Sequence, residues 1–430
     1  MPKRNLILFD DQAWAGLRPL TWLRPVADLR IGAFTMAGRW ERLLTGRASY
    51  VTQDYLAEQF PLAVARDNYF INASLLPTPE LVARIRELSQ GEALTHADEL
   101  LAARLDDRAI RRISQSIDED APVEGPGAAG GGAGEDIRGY DYEGEVTLLR
   151  RPYDLFKHNG AVIRADFETL TRARHGQPVP PSNTVFGGHA VFLEPDAVCE
   201  ACILNTTDGP IYIGRGARVM EGSVLRGPLV VGEGAKVKVG AKLYGDTAVG
   251  PYCSVGGEVS NVVFQGYCNK GHDGYLGNAV VGRWCNLGAD TNASNLKNNY
   301  APVRVWDYET EGFRESGELF CGLIMGDHAK CGINTMFNTG TVVGTAANVF
   351  GAGYPRTFVP DFAWGGPAGM TTHRIDKAYE TAERMMARRS VDLTEAERDV
   401  LEHVYALTAR YRRWEKAPRA AAAAAPDNGA

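Results

Sequence analysis

The stretch IYIGRGARVMEGSVLRGPLVVGEGAKVKVGAKLYGDTAVGPYCSV, residues 211–255, decides the fold. In it Ile213, Val219, Leu225, Val231, Val237, Leu243, Val249 and Val255 are eight aliphatic residues at an unbroken spacing of six. A second run, Met325, Cys331, Phe337, Val343 and Val349, keeps the spacing; Gly326, Gly332, Asn338 and Gly344 follow its members, with Ala329, Thr335, Thr341 and Ala347 four places on. A short, fixed period is the mark of a solenoid. Each hexapeptide makes one strand and a turn: the aliphatic residue fills the inside of a triangular prism, and Gly or Asn supports the tight corner. Three hexapeptides complete a coil, so residues 181–355 are expected to form a hexapeptide-repeat parallel β-helix.

Between the two runs, about 260–320, the period breaks. Val281 and Leu287 stay in phase, while Leu296–Phe320 is expected to be an extruded loop, the kind of place where a solenoid builds a site. Residues 356–430 read as a C-terminal helical extension with a disordered Ala/Pro/Asn tail. Within it Thr394-x-x-Glu397 is a capping box opening a helix to about Trp414, with Val400, Val404 and Leu407 on one face.

Residues 1–180 read as a Rossmann-like α/β domain. Asn5–Phe9 and Tyr69–Ile71 look like buried parallel strands, and Pro79–Leu88 and Ala97–Leu105 have helical spacing. The Ala/Gly/Pro-rich segment 119–139 reads as a flexible insert, with order resuming near Tyr140. Arg151–Gly160 and a helix-like Ala165–Arg174 then lead out of the domain.

With 430 residues, 44% hydrophobic and 23% charged, the chain can form two or three domains, each burying its own core. A formal charge of −7 and no block of Lys/Arg argue against nucleic acid as a partner. The apolar run Leu6–Phe9 is too short for a signal peptide or a membrane span, so no membrane partner is expected. Seven cysteines, an odd number confined to 199–331, suit reduced core thiols and a cytoplasmic location. Cys199 and Cys202 form a C-x-x-C with no second pair at zinc spacing, and read as small buried residues.

The densest polar constellation is Asn269-Lys-Gly-His-Asp-Gly-Tyr-Leu-Gly-Asn278, continuing through Asn286-Leu-Gly-Ala-Asp-Thr291 to Ser294-Asn295. It resembles the acetyltransferase domain of bifunctional N-acetylglucosamine-1-phosphate uridyltransferase/glucosamine-1-phosphate N-acetyltransferases, whose motif runs Lys-x-x-His-x-x-Tyr-x-Gly-Asp, then Asn-x-Gly-Ala-Gly-Thr, then Asn. The resemblance implies a left-handed coil and acyl transfer from acetyl-CoA to an amino-sugar phosphate. It makes His272 the general base, a role imidazole suits because both its protonation states exist near neutral pH. It places Lys270, Tyr275, Asn286 and Asn295 on the sugar phosphate or the acyl group. Gly288 and Ala289 fall at the acyl-CoA, where a backbone N–H would hold the thioester oxyanion. No metal is implied in this half, and the family's threefold assembly, with sites between subunits, implies a homotrimer.

Two positions depart from the pattern. A family lysine that contacts the sugar nucleotide or phosphate some twelve residues before the histidine falls on Ser260, and the family's Asp after Tyr-x-Gly is Asn278. Lys297 offers a substitute cation for the phosphate. His328, in Gly326-Asp-His-Ala, reads as structural or CoA-proximal.

The N-terminal part resembles sugar nucleotidyltransferases through Leu6–Phe9, Leu17-Arg-Pro-Leu-Thr21 and Arg24-Pro25. The glycine loop of that family is absent and Val26 replaces its lysine. The resemblance places a nucleoside triphosphate against Asp10, Asp11, Arg18, Thr21, Arg24 and Asn72, with Asp10 and Asp11 the candidate magnesium ligands. Two other classes compete. A β-helix zinc carbonic anhydrase needs three converging histidines, and His272 has none within five residues. A non-catalytic sugar-nucleotide-binding scaffold or sensor would keep the fold without the chemistry.

Overall fold

The computed structural model describes residues 4–115 and 137–415. Most of the flexible insert expected over 119–139, and the disordered tail beyond 415, lie outside the described residues.

The N-terminal domain is α/β. Six strands, β1 (Arg4–Phe9), β2 (Gly46–Val51), β3 (Asn68–Asn72), β4 (Glu92–His96), β5 (Glu99–Leu105) and β6 (Arg138–Asp141), form one sheet in the order β2-β1-β3-β5-β4-β6. The two expected strands are its centre: β1 is parallel to β2 and β3, and Leu6, Ile7, Leu8 and Phe9 are all buried, as a strand covered on both faces must be. Helices α1 (Met36–Leu44), α2 (Pro79–Glu87), α3 (Asp107–Gln115) and α4 (Pro152–Thr171) complete the domain.

Two expectations are corrected. Ala97–Leu105 is not helical: Glu99–Leu105 is β5, joined to β4 through Ala97 and Asp98, both at positive φ. Two left-handed residues make the tight hairpin turn that suits strand twist. The exit from the domain is one helix of 20 residues, α4, rather than two pieces. Asn159-Gly160 does not break it. The Asn159 amide bridges the Gly32 N–H at 2.8 Å and the Asp246 carbonyl at 2.6 Å, and a Cβ on Gly160 would overlap the Asp246 carboxylate.

Beyond α4 the chain winds into a left-handed parallel β-helix. Arg218 pairs with Lys236 and Lys236 with Ser254, eighteen residues per coil, and consecutive strands Ile211–Ile213, Arg218–Val219 and Val224–Arg226 occupy three faces. All eight residues of the six-spaced run from Ile213 to Val255 are buried in the prism, as are Val281 and Leu287. The broken period has a structural cause: Ser254 pairs with Asn269 and Asn269 with Asn286, coils of fifteen and seventeen residues. The missing residues include part of the corner at Gly256-Gly257, and in both coils two faces merge into one long strand, Glu258–Phe264 and Tyr275–Val281, bent at Asn261 and Asn278 with positive φ.

The expected extruded loop leaves the coil at Leu296 and returns at Phe320, which form a bridge, and carries the hairpin Arg304–Asp307/Gly312–Glu315. It folds back: Trp306 stacks on Phe358 at 4.0 Å, and Lys157 of α4 pairs with Glu318 at 2.6 Å. Helices α5 (Ile375–Ala387) and α6 (Glu395–Leu407) end the described chain, α6 opened by the predicted Thr394/Glu397 box but stopping before 3-10 turns rather than running to Trp414.

Each domain has apolar packing of its own, the prism interior in one and a cluster around Ile7, Phe9 and Phe70 in the other, and a third cluster is shared between them. One apolar cluster runs from Leu6, Trp22 and Trp40 through Val263, Val280, Ile324 and Val342 on the outside of the β-helix to Val400 and Val404 of α6. At about 25 cal/mol per Å² of apolar surface removed from water, such a shared core favours joint folding of these pieces. No described helix is long and apolar enough to cross a membrane.

Candidate functional site

The candidate acyl-transfer site grows out of one corner of the β-helix. Strand Asn269–Lys270 puts Asn269 on the outside and Lys270 inside, at the place that Val255 fills in the preceding coil. Gly271–Gly274 then turns the corner, with His272 and Asp273 exposed. The corner above is the shortened Gly256-Gly257, where a Cβ on Gly257 would come within 2.9 Å of the His272 carbonyl. Below, the Asp290 N–H donates to the Asp273 carbonyl at 3.1 Å. His272 therefore stands on a corner that reaches past its upper neighbour.

Lys270 does not face substrate, which corrects that expectation. It is 1% exposed, and its Nζ donates at 3.0 Å to the carbonyls of Gly256 and of His272 itself. Burial lowers its pKa to about 8, against the opposing pull of Asp273, Cys331 and Asp290.

Tyr275 and Asn295 do come together. Asn295 Nδ2 donates to Tyr275 Oη at 3.0 Å and to Asn278 Oδ1 at 2.8 Å. With its amide turned so that both ends find partners, Asn261 extends the chain, accepting from Asn278 Nδ2 at 3.0 Å and donating to the Phe156 carbonyl of α4 at 2.8 Å. Sequence reasoning missed Asn261 and missed the role of Asn278; an Asn in both shortened coils was the available signal, since Asn tolerates positive φ. Because Tyr275 Oη accepts, its own proton is free to be donated outward. Asn286 Oδ1 accepts from Asn269 Nδ2 at 2.8 Å, an amide pair on the outer face.

Of the acyl-CoA pair, Gly288 has its N–H paired with the Cys331 carbonyl at 3.0 Å. The N–H groups of Asp290 and Thr291 are also used, whereas that of Ala289 has no partner among the described residues. Lys297 Nζ donates to the Pro302 carbonyl at 3.1 Å, within its own loop. His328 stands on a different corner of the prism from His272, its backbone N–H donating to the Arg283 carbonyl at 2.8 Å. It lies beneath the C-terminal helices near Trp284, and burial drives its pKa down to about 3.

The N-terminal candidates gather at the C-terminal end of β1 and β3, where open α/β sheets bind ligands, but their side chains are committed to internal bonds. Asp10, 2% exposed, accepts from the Val26 N–H at 2.9 Å and Thr52 Oγ1 at 2.6 Å. Asp11 accepts from the Ala13 N–H at 2.9 Å and Asn72 Nδ2 at 2.8 Å. Thr21 is fully buried and donates to the Trp14 carbonyl. Arg18 lies over the rings of Trp14 and Trp22, at 5.3 and 4.8 Å. Arg24 is buried and paired with Asp327 of the β-helix. Magnesium does not fit here: it needs open, charged oxygen ligands and keeps several waters. Asp10 has its oxygens taken, and no group of three or more His, Cys, Asp or Glu residues among the described residues could hold a metal.

Burial raises the Asp10 pKa to about 7 from an ordinary 3.8. The folded state then binds a proton that the unfolded state has released, so stability falls as pH rises from about 4 to about 7. Asp10→Asn keeps an acceptor for Val26 and a polar partner for Thr52. It is expected to flatten that dependence and raise the melting temperature by a few degrees at pH 8 but not at pH 4, in thermal melts across the range.

Residues 6–175 match the model of a family described as sugar nucleotidyl transferase. The chain is 35% identical over 74 residues to the bifunctional protein GlmU of Methanocaldococcus jannaschii, a match spanning 17% of this chain and 17% of that protein. Among solved structures, UDP-N-acetylglucosamine acyltransferase from Campylobacter jejuni aligns over 55% of this chain and 83% of its own, at 12% identity and a TM-score of 0.31. The Arabidopsis UDP-N-acetylglucosamine acyltransferase aligns over 57% and 86%, at 13% identity and 0.26. An N-acyltransferase from Bacillus cereus, in complex with dTDP and coenzyme A, aligns over 46% and 91%, at 13% identity and 0.21.

Proposed function

We propose that this protein, a transferase, moves an acetyl group from acetyl-CoA to the amine of glucosamine 1-phosphate or a related amino sugar. The observation that carries this reading is an exposed imidazole, His272, on a corner held from inside the coil, with the unpaired Ala289 N–H on the coil below it. The amine nitrogen attacks the thioester carbonyl and passes its proton to His272. The oxyanion that forms is held by the Ala289 N–H. Collapse expels the CoA thiolate, which takes the proton back from His272. Tyr275, with its hydroxyl proton directed outward, and Asn295 orient the acceptor. Each step is supplied by side chain and backbone, without a metal.

The protein works in the cytoplasm as a homotrimer with sites between subunits. In support, Val239 and Ile333, apolar residues on the same edge two coils either side of His272, are 68% and 72% exposed.

For the N-terminal domain a second reading is favoured by a specific observation, the burial and internal pairing of Asp10, Thr21, Arg24 and Asn72. On this reading the domain is a non-catalytic sugar-nucleotide-binding scaffold. Pyrophosphate exchange with UTP, magnesium and N-acetylglucosamine 1-phosphate is expected to give no turnover; exchange above background restores nucleotidyl transfer.

The acyltransferase is tested by thiol release from acetyl-CoA with a panel of amino-sugar 1-phosphates. Turnover with glucosamine 1-phosphate or a close relative is expected, and release with none of them removes the proposal.

A further inference from the structure

At this corner edge of the prism, several of the carbonyls just after an inward residue accept from a side chain inside the coil. In neighbouring coils the donor is a hydroxyl: Ser223 donates to the Lys238 carbonyl at 2.9 Å, Thr291 to Gly288 at 2.7 Å and Thr335 to Gly332 at 2.9 Å. Around His272 no hydroxyl is available. The corner at Gly256-Gly257 has lost residues, and the place matching Thr291 is Gly274, whose missing Cβ is the condition for lying against Thr291. Lys270 takes over at Gly256 and adds a bond those coils lack, to the carbonyl of His272, its methylene stem lying between the coils of Val255 and Leu287.

Charge in this place is costly, since an ammonium leaves water for an apolar prism whose equivalent positions hold Val219, Val237, Val255 and Val349. An aliphatic residue would satisfy the repeat. What the ammonium adds is a tie to the backbone of the residue that carries the imidazole.

We infer that Lys270 is a positioning residue for His272, fixing the Gly271–Gly274 corner from inside the coil so that the imidazole meets the acceptor amine at one angle. The inference rests on the acyltransferase reading of His272. Lys270 touches neither substrate, so its effect passes wholly through the histidine.

The test uses the full chain with Lys270→Met, His272→Ala and the double variant in the thiol-release assay. Lys270→Met is expected to lower kcat about 10- to 100-fold, the size of effect that a misplacement near 1 Å produces, with the acetyl-CoA KM changed less than about threefold. The double variant is expected to be no slower than His272→Ala, because residues acting as one unit do not add. An unchanged kcat, or an additive loss in the double variant, overturns the inference. Lys270→Gln retains a donor and serves if Lys270→Met does not fold; partial recovery of kcat is expected of it. The His272 ring resonance and the amide exchange of Gly271–Gly274 give a readout without turnover. Both are expected to change in Lys270→Met, and no change in either overturns the positioning role even if the native protein proves inactive. Inactivity of the native protein with a loosened corner in the variant overturns only the acyltransferase reading.

Discussion

Asp327→Ala is expected to lower the free energy of unfolding by about 3–5 kcal/mol, the range for removing one partner of a buried ion pair. Its carboxylate accepts from Arg24 of the N-terminal domain and from the Arg283 N–H at 2.7 Å, and both Arg24 and Asp327 are almost wholly buried. Without it, Arg24 keeps only Asp28, at 3.7 Å, and the part-buried Arg283 N–H loses its acceptor. Asp327→Asn retains the acceptor and should cost less. The exposed pair Arg84–Glu87 is the control: breaking it should cost under about 0.5 kcal/mol. Denaturant unfolding reads all three, and a loss below about 1 kcal/mol for Asp327→Ala would show that the contact between domains is not held by this pair.

His272→Ala is expected to cut kcat for thiol release by about 10²–10⁴-fold, the contribution of a placed general base. The acetyl-CoA KM should move little, because the proposed base takes a proton from the acceptor amine and not from the donor. His328→Ala is the contrast: that half-buried ring lies beside Trp284 on another corner, so its loss should appear in the melting temperature rather than in kcat. If His272→Ala turned over like the native protein, the proton would have to go to another group, and the proposed mechanism would fall.

The β-helix was legible because its period is a packing rule repeated without exception from Ile213 to Val255. Legibility ended where the coil shortened. Counting six from Val255 lands on Asn261, an outer bend, rather than on Val259, and counting a full coil of eighteen lands on Asp273 rather than on Lys270, the next residue inside on that face. Lys270 therefore read as a surface cation beside a histidine. Ala97–Leu105 misled for another reason: a brief buried strand and a piece of buried helix share the same apolar density, and the left-handed turn at Ala97-Asp98 has no Gly or Asn-Gly to announce it. The charged residues after β1 looked like an open nucleotide site because nothing local shows that Asp10 and Asp11 are bonded within their own domain, to Val26, Thr52, Ala13 and Asn72, or that Arg24 pairs with Asp327 of the β-helix. Tyr275 and Asn295 were found together because the motif that carries them survives in order.

The shared core has a consequence for dissecting the protein. Severed near residue 180, the chain would give one piece with Trp22 and Val26 uncovered and another with Val263, Val280, Ile324 and Val342 facing water. Each stripe is an adhesive surface. Halves expressed separately should be insoluble, or should recapture one another when mixed, and an activity lost in either fragment would report the missing wall rather than a missing catalytic group.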